Sequence, residues 1–260
     1  MFKEKMVTPA IPERVYALCK IVEKKPITNS ALKDKMEPDF LKNGDTLYYG
    51  DYRRAAEELG LIIVSDNLIS LGVESKVLNS IDSMRAYINM KLEAFNDGQF
   101  YAVTRVFFNM GNEVLNGEKN VAAMGPMFSQ KTDRPVDAMA MHAWRFWVSF
   151  LGFGYLQNMF FIPNANTFLR DIISGSALEK GKRYSTTDFV EAIRPYCNIV
   201  IDPDPTNRKF NYGVSNGLRT LHDADFIKIE HIMDQKDLWN LYPMNAHPLS
   251  TTITNITICK

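Results

Sequence analysis

One rhythm recurs three times along this chain and limits what it can fold into. A helical stretch closes on a stop residue, and an apolar strand, a turn and a second apolar strand follow. The segments are RRAAEELGLIIVSDNLISLG (53–72), RFWVSFLGFGYLQNMFFIPN (145–164) and GLRTLHDADFIKIEHIMDQKDLWNLYP (217–243). Gly60 and Gly152 hold the stop position in the first two, and Asp225 takes it in the third. Glycine there lets the backbone turn left-handed and end the helix. Three divergent copies are too few for a solenoid and suggest repeated small domains. The composition agrees: 260 residues, 46% hydrophobic and 23% charged, suit two or three small domains. They exclude a disordered chain, a collagen-like repeat and a coiled-coil rod.

The first copy ends a unit that can be read in full. Residues 12–25 place Val15, Leu18, Cys19 and Val22 on one helical face, with Pro12 in the first turn. Pro26 stops that helix. A short helix, SALKDKM, follows and can be capped by Thr28 or Asn29. Asn43-Gly44 pivots a polar turn, and YYGDYRRAAEELG forms a third helix with Asp51 as its expected N-cap. The strand 61–64, the turn 65–67 and the strand 68–71 complete the order of a winged helix-turn-helix, with residues 53–54 at the start of its recognition helix.

The middle reads as helices over 73–95, 99–115 and 136–151, the last apolar nearly all round and therefore buried. TTDFVEAIRPYC is a capped amphipathic helix before the third copy. There Phe226–Ile229 is the expected strand, Leu238–Tyr242 its return, and STTITNITICK a last strand packed on the C-terminal domain. The expected fold class is mostly α with small β wings (α+β). Winged helix-turn-helix units occupy 1–72 and 175–260, around a helical middle, 73–174, that can hold a degenerate third unit.

Little points to catalysis. His142, His222, His231 and His247 form no HExxH, and no cysteine pair has zinc spacing. The pair Gly152 and Gly154 opens no phosphate loop, because Gln157 breaks the pattern. Asp202 and Asp204 in DPDPTNR suit a turn better than a metal site. We therefore expect no catalytic residue, no metal and no cofactor. An enzyme with its site in the aromatic middle would use His142, Arg145 and Tyr155 first. Cys19, Cys197 and Cys259, odd in number and far apart, fit a reducing compartment. The apolar run 146–163 approaches the roughly 20 residues of a membrane span, but Gln157 and Asn158 interrupt it. The N-terminus lacks a signal-peptide core. A soluble, cytoplasmic protein without a membrane partner is expected.

Thirty basic and thirty acidic residues give no net charge, which argues against a non-specific polycation on nucleic acid. Any DNA contact must then come from local clusters. Tyr49, Tyr52, Arg53 and Arg54 gather at the start of the third helix, where Arg and Tyr can meet phosphates or base edges. Lys33, Lys35 and Lys42 lie in the second helix and its turn. Arg208, Lys209 and Arg219 are the basic candidates of the last unit. Against them, residues 1–72 hold eleven acidic side chains beside eleven basic ones, and Glu57 and Glu58 follow the arginines. A solvated mixed-charge face fits equally well. The first wing, SDN, has no basic residue, and neutral winged helices also serve as protein-binding modules.

The two terminal units resemble tandem winged-helix subunits of bacterial multi-protein systems. These include the kite-type, MukE-like subunits of SMC complexes. PERVYALCKIVE and the following ELGLI also look like the DpdG-like accessory proteins of 7-deazapurine DNA-modification defence. The resemblance implies a non-catalytic accessory subunit of a DNA-acting, anti-phage complex. Its partners would be a large ATPase, helicase or nuclease, with double-stranded DNA as a further ligand. A free-standing dimeric transcriptional regulator is the alternative.

Overall fold

The computed structural model describes residues 1–3, 5–41, 48–115, 120–158, 160–202, 204 and 206–260. It is a mixed α+β structure with small antiparallel sheets. The first unit contains α1 (Pro12–Val22), β1 (Ile27–Thr28), α2 (Asn29–Met36), α3 (Tyr49–Glu58), β2 (Ile62–Ser65) and β3 (Leu68–Leu71). Helix α1 buries Val15, Leu18, Cys19 and Val22, the face its spacing predicts. The Thr28 side chain caps α2 by accepting from Ala31 N at 3.4 Å. Helix α3 starts earlier than expected, at Tyr49, so Asp51 lies in its first turn rather than at its cap. The three strands pair antiparallel in the order β1–β3–β2, with Ile27 opposite Ile69 and Ile62 opposite Leu71.

Next come α4 (Ile81–Asn89), α5 (Gln99–Asn109), α6 (Gly125–Thr132), α7 (Ala138–Phe150), β4 (Gly154–Gln157) and β5 (Phe160–Pro163). The single helix expected over 73–95 is broken into a short helix between two 3₁₀ turns. The break follows from Ser80, whose hydroxyl accepts from Ser83 N at 3.0 Å and starts α4 afresh. Helix α5 stops at Asn109, where Gly111 turns left-handed at φ +60°. Helix α7 is capped by Asp137, which accepts from Ala140 N at 2.7 Å. Here β4 and β5 form a two-stranded sheet only.

The last region holds α8 (Asn166–Gly175), β6 (Arg183–Ser185), α9 (Thr186–Cys197), α10 (Tyr212–Asp223) and β7 (Ile227–Glu230), then β8 (Trp239–Asn240), β9 (Thr252–Ile253) and β10 (Asn255–Ile258). Its main sheet has the order β6–β10–β7. The partner of β7 is therefore β10, in the tail, and not the 238–242 segment. Trp239 and Asn240 pair instead with β9 inside a long insertion. Alternation decides this: Ile256 and Ile258 give β10 a buried face that matches Ile229 and Ile227 across the pair.

The three helix stops share the same hydrogen bonds. Gly60 N, Gly152 N and Asp225 N donate to the carbonyls of Glu57, Ser149 and His222. Leu61 N, Phe153 N and Phe226 N reach back five residues to Ala56, Val148 and Leu221. All three stop residues have positive φ, at +66°, +82° and +53°. Each helix thus ends in a Schellman motif whose following apolar residue is buried. The carbonyls of Leu61, Phe153 and Phe226 then accept from Gly72 N, Asn164 N and Cys259 N, closing each antiparallel strand pair the same way, although a long insertion joins the third pair.

Buried side chains form one continuous core from Met1 to Ile258. Its centre is aromatic. Phe107 packs on Phe128, Trp144 and Phe161, and Phe2 packs edge-on to Trp147 at 4.8 Å between centroids. Trp144 Nε1 donates to Thr104 Oγ1 at 2.9 Å, which satisfies a buried donor. Among the described residues no helix is long and apolar enough to cross a membrane.

Candidate nucleic-acid interface

The helix before each hairpin, α3, α7 or α10, would face DNA in a helix-turn-helix, so its outward side decides the reading. In α3, Tyr49 and Tyr52 are buried. Tyr49 donates its hydroxyl to Asn29 Oδ1 at 2.9 Å, and Tyr52 donates to Glu37 Oε1 at 3.0 Å. Burial pushes the Tyr49 hydroxyl up to about 12, and burial with the Glu37 contact raises Tyr52 as well. Neither ring presents a face to a phosphate, and both leave the set of surface candidates. The aromatic pair holds α3 on the unit instead, with centroids 5.8 Å apart. Arg53 is half-buried and pairs with Glu57 at 3.1 Å across one helical turn. Arg54 is exposed. Glu58 accepts from the amino terminus at 2.7 Å and from Phe2 N at 2.8 Å, so this carboxylate is turned inward. The outward side of α3 therefore carries Arg53, Arg54 and Glu57.

Lys35 is exposed on α2. It lines a groove of about 350 Å³ with Lys24, Lys25, Ile21 and Ile27, and no carboxylate is among these residues. Lys33 lies two residues away, about 200° around the helix, and is half-buried. The structure thus joins Lys35 to Lys24 and Lys25 rather than to Lys33. The consecutive lysines before Pro26 were visible in the sequence only as the polar end of α1. Their meeting with Lys35 depends on how α1 and α2 pack. Lys42 lies outside the described residues.

The C-terminal helix is different. No residue of α10 from Tyr212 to His222 is fully exposed. Small residues let it sink between its neighbours. A Cβ on Gly213 would come 2.4 Å from the Phe108 ring, and one on Gly217 would come 2.8 Å from the Ala165 backbone. Arg219 is buried, which lowers its pKa, and its Nη2 donates to Tyr242 O at 2.7 Å. It is not a surface contact. Arg208 is exposed and pairs with Asp237 at 3.0 Å. Asp237 also accepts from Thr187 N and Oγ1, so Arg208 helps tie the long insertion to the start of α9. Burial alone would raise the Asp237 carboxyl, but the Thr187 bonds and the Arg208 charge outweigh it and hold the carboxyl below its ordinary range. Lys209 is exposed beside Arg208.

Helix α7 buries Trp144 and Trp147 and leaves Met139 and Phe146 exposed, with the Arg145 guanidinium 4.9 Å from the Phe146 centroid. His142 is half-buried, and exposed Tyr155 donates to Asn166 Oδ1 at 3.1 Å. No cluster of three or more His, Cys, Asp or Glu suited to a metal occurs among the described residues. Comparison with protein-family models, with curated proteins and with solved structures finds no match to this chain.

Proposed function

We propose that this chain is a non-catalytic tandem winged-helix accessory subunit of a multi-protein DNA-acting complex, of the kind used in anti-phage defence. The observation that carries the reading is a repeated topology. The order α-β-α-α-β-β with the first strand beside the last holds for α1–β3 and again for α8, β6, α9, α10, β7 and β10. This order supports the winged-helix reading, which then takes α8 as the first helix of the C-terminal unit. The two copies differ in use. The N-terminal unit offers the lysine groove and the Arg53–Arg54 side of α3 to a phosphate backbone. The C-terminal unit encloses its third helix, so it serves as a structural and partner-docking module. Chemistry on DNA belongs to the ATPase, helicase or nuclease partner.

The test is fluorescence anisotropy of the full chain on a short duplex across a salt series. Three lysine–phosphate contacts predict that K24E/K25E/K35E lowers the salt slope by about 2–3, at roughly 0.9 per contact. Affinity at low salt should fall more than about tenfold, and R53E/R54E should weaken binding less. Duplex binding that neither variant alters would overturn the assignment of the surface. No binding by the wild type would remove DNA from the account. Nuclease-treated purification from the native cell should return a DNA-acting partner in fixed ratio. Recovery of a homodimer alone would favour a transcriptional regulator.

A further inference from the structure

A second site lies away from the lysine groove, where the middle helices meet the C-terminal unit. A pocket of about 440 Å³ opens between α5 and the loop from α9 to α10. Its floor is apolar, made by Val200, Ile201, Phe210 and Val214, all buried. Its polar lining combines two cations, a carboxylate and amides. Arg105 and Asn109 come from α5, and Asp202, Asn207, Lys209 and Asn211 come from the loop.

Several polar atoms of the lining are already used. Asp202 accepts from Asp204 N at 2.9 Å and from Asn207 Nδ2 at 2.6 Å. Its carbonyl accepts from Arg194 Nη1 at 3.0 Å. Asn211 donates to Val200 O at 2.6 Å and caps α10 through Val214 N at 3.0 Å. These bonds fix Asp202 and Asn211 in the wall of the pocket. In contrast, the Arg105 guanidinium and the Lys209 ammonium make no hydrogen bond or ion pair among the described residues. Two cations lining a half-buried pocket beside the start of a twelve-residue helix favour an anion. The remaining lone pairs of Asp202 and the Asn207 carbonyl suit hydroxyl or amino donors on the same ligand. The apolar floor suits a flat, weakly polar body, and the volume is in the range of small-molecule sites.

We infer that this pocket binds a nucleoside monophosphate, with the phosphate on Arg105 and Lys209, the sugar hydroxyls toward Asp202 and the base over Val200, Ile201 and Phe210. A free nucleotide and the phosphorylated end of a DNA strand share this chemistry, and the probes below separate them. The inference is independent of the DNA surface on the N-terminal unit.

Isothermal titration of the full chain with AMP, GMP, CMP and UMP tests it, with adenosine, inorganic phosphate and a 5′-phosphorylated oligonucleotide alongside. At least one monophosphate should bind one-to-one, and its nucleoside or phosphate alone should bind at least about tenfold more weakly. R105Q and K209Q should each weaken binding about tenfold or more at unchanged melting temperature. N109W, which fills the mouth and keeps both charges, should abolish it. Tighter binding of the phosphorylated oligonucleotide, lost in the same variants, would assign the pocket to a strand end. No heat with any monophosphate or with the oligonucleotide would overturn the inference. So would affinity unchanged in R105Q, K209Q and N109W, or phosphate binding as well as the nucleotides.

Discussion

Replacing Gly217 by alanine sets helix propensity against packing. In a helix interior, alanine is favoured over glycine by about 0.8–1.0 kcal/mol. Gly217 lies inside α10, so propensity alone predicts a gain. Its Cβ, however, would sit 2.8 Å from Ala165 C and Asn166 N, and both are backbone atoms at the start of α8. Backbone cannot swing aside as a side-chain tip can, and overpacking of this kind costs about 1–3 kcal/mol. The expected net effect is a loss of up to about 2 kcal/mol. Gly50 supplies the control. It is exposed in the first turn of α3, and a Cβ there meets nothing within 4 Å. G50A should therefore gain a few tenths up to about 1 kcal/mol. Urea titration of the wild type and both variants reads the two signs as opposite shifts in midpoint at constant slope. A G217A midpoint at or above the wild type would show that the Cβ meets no such obstacle. Helix α10 would then not be pressed onto α8, and its exclusion from a DNA groove would lose its physical basis.

Asp171 bridges α8 to α4: it accepts from Arg85 Nε at 2.9 Å and from Asn89 Nδ2 at 2.8 Å. Removing it in D171A leaves the guanidinium with only its exposed partner Asp82 and the Asn89 amide with one acceptor fewer, and should cost about 1–2 kcal/mol by urea titration, less than for an unpaired buried charge. D225G should stabilise by about 0.5–1 kcal/mol on the same assay, since Asp225 holds a left-handed φ of +53° where its two counterparts are glycine. Thiol labelling at mildly alkaline pH should modify Cys259 alone in the native protein and all three cysteines in denaturant. Burial pushes Cys19 up to about 12 and raises Cys197, so neither is a thiolate until the fold opens.

The helix stops and hairpins were legible because local chemistry determines them. A Leu-Gly step after an apolar helix, followed by an alternating strand, leaves few alternatives. Even Asp225 could be recognised by its place in the rhythm. The pairing of β7 with β10 was harder, because an insertion of some two dozen residues separates strands that the first copy joins by a turn. Alternating Ile256 and Ile258 marked a strand but not its neighbour. The candidate surface was legible only in part. Tyr49, Tyr52 and Arg219 read as contact residues by type, yet burial is set by tertiary packing that one helix cannot reveal. Lys24 and Lys25 do not read as contact residues for the converse reason, since the groove they share with Lys35 exists only once α1 and α2 are packed.

The most direct test of the account is hydrogen exchange of the full chain with and without a short DNA duplex at low salt. Residues 20–36 and 48–58 should gain protection, with α10 already slow to exchange and unchanged by DNA. Protection appearing on α10, or no change in the N-terminal unit under conditions where duplex is bound, would contradict it.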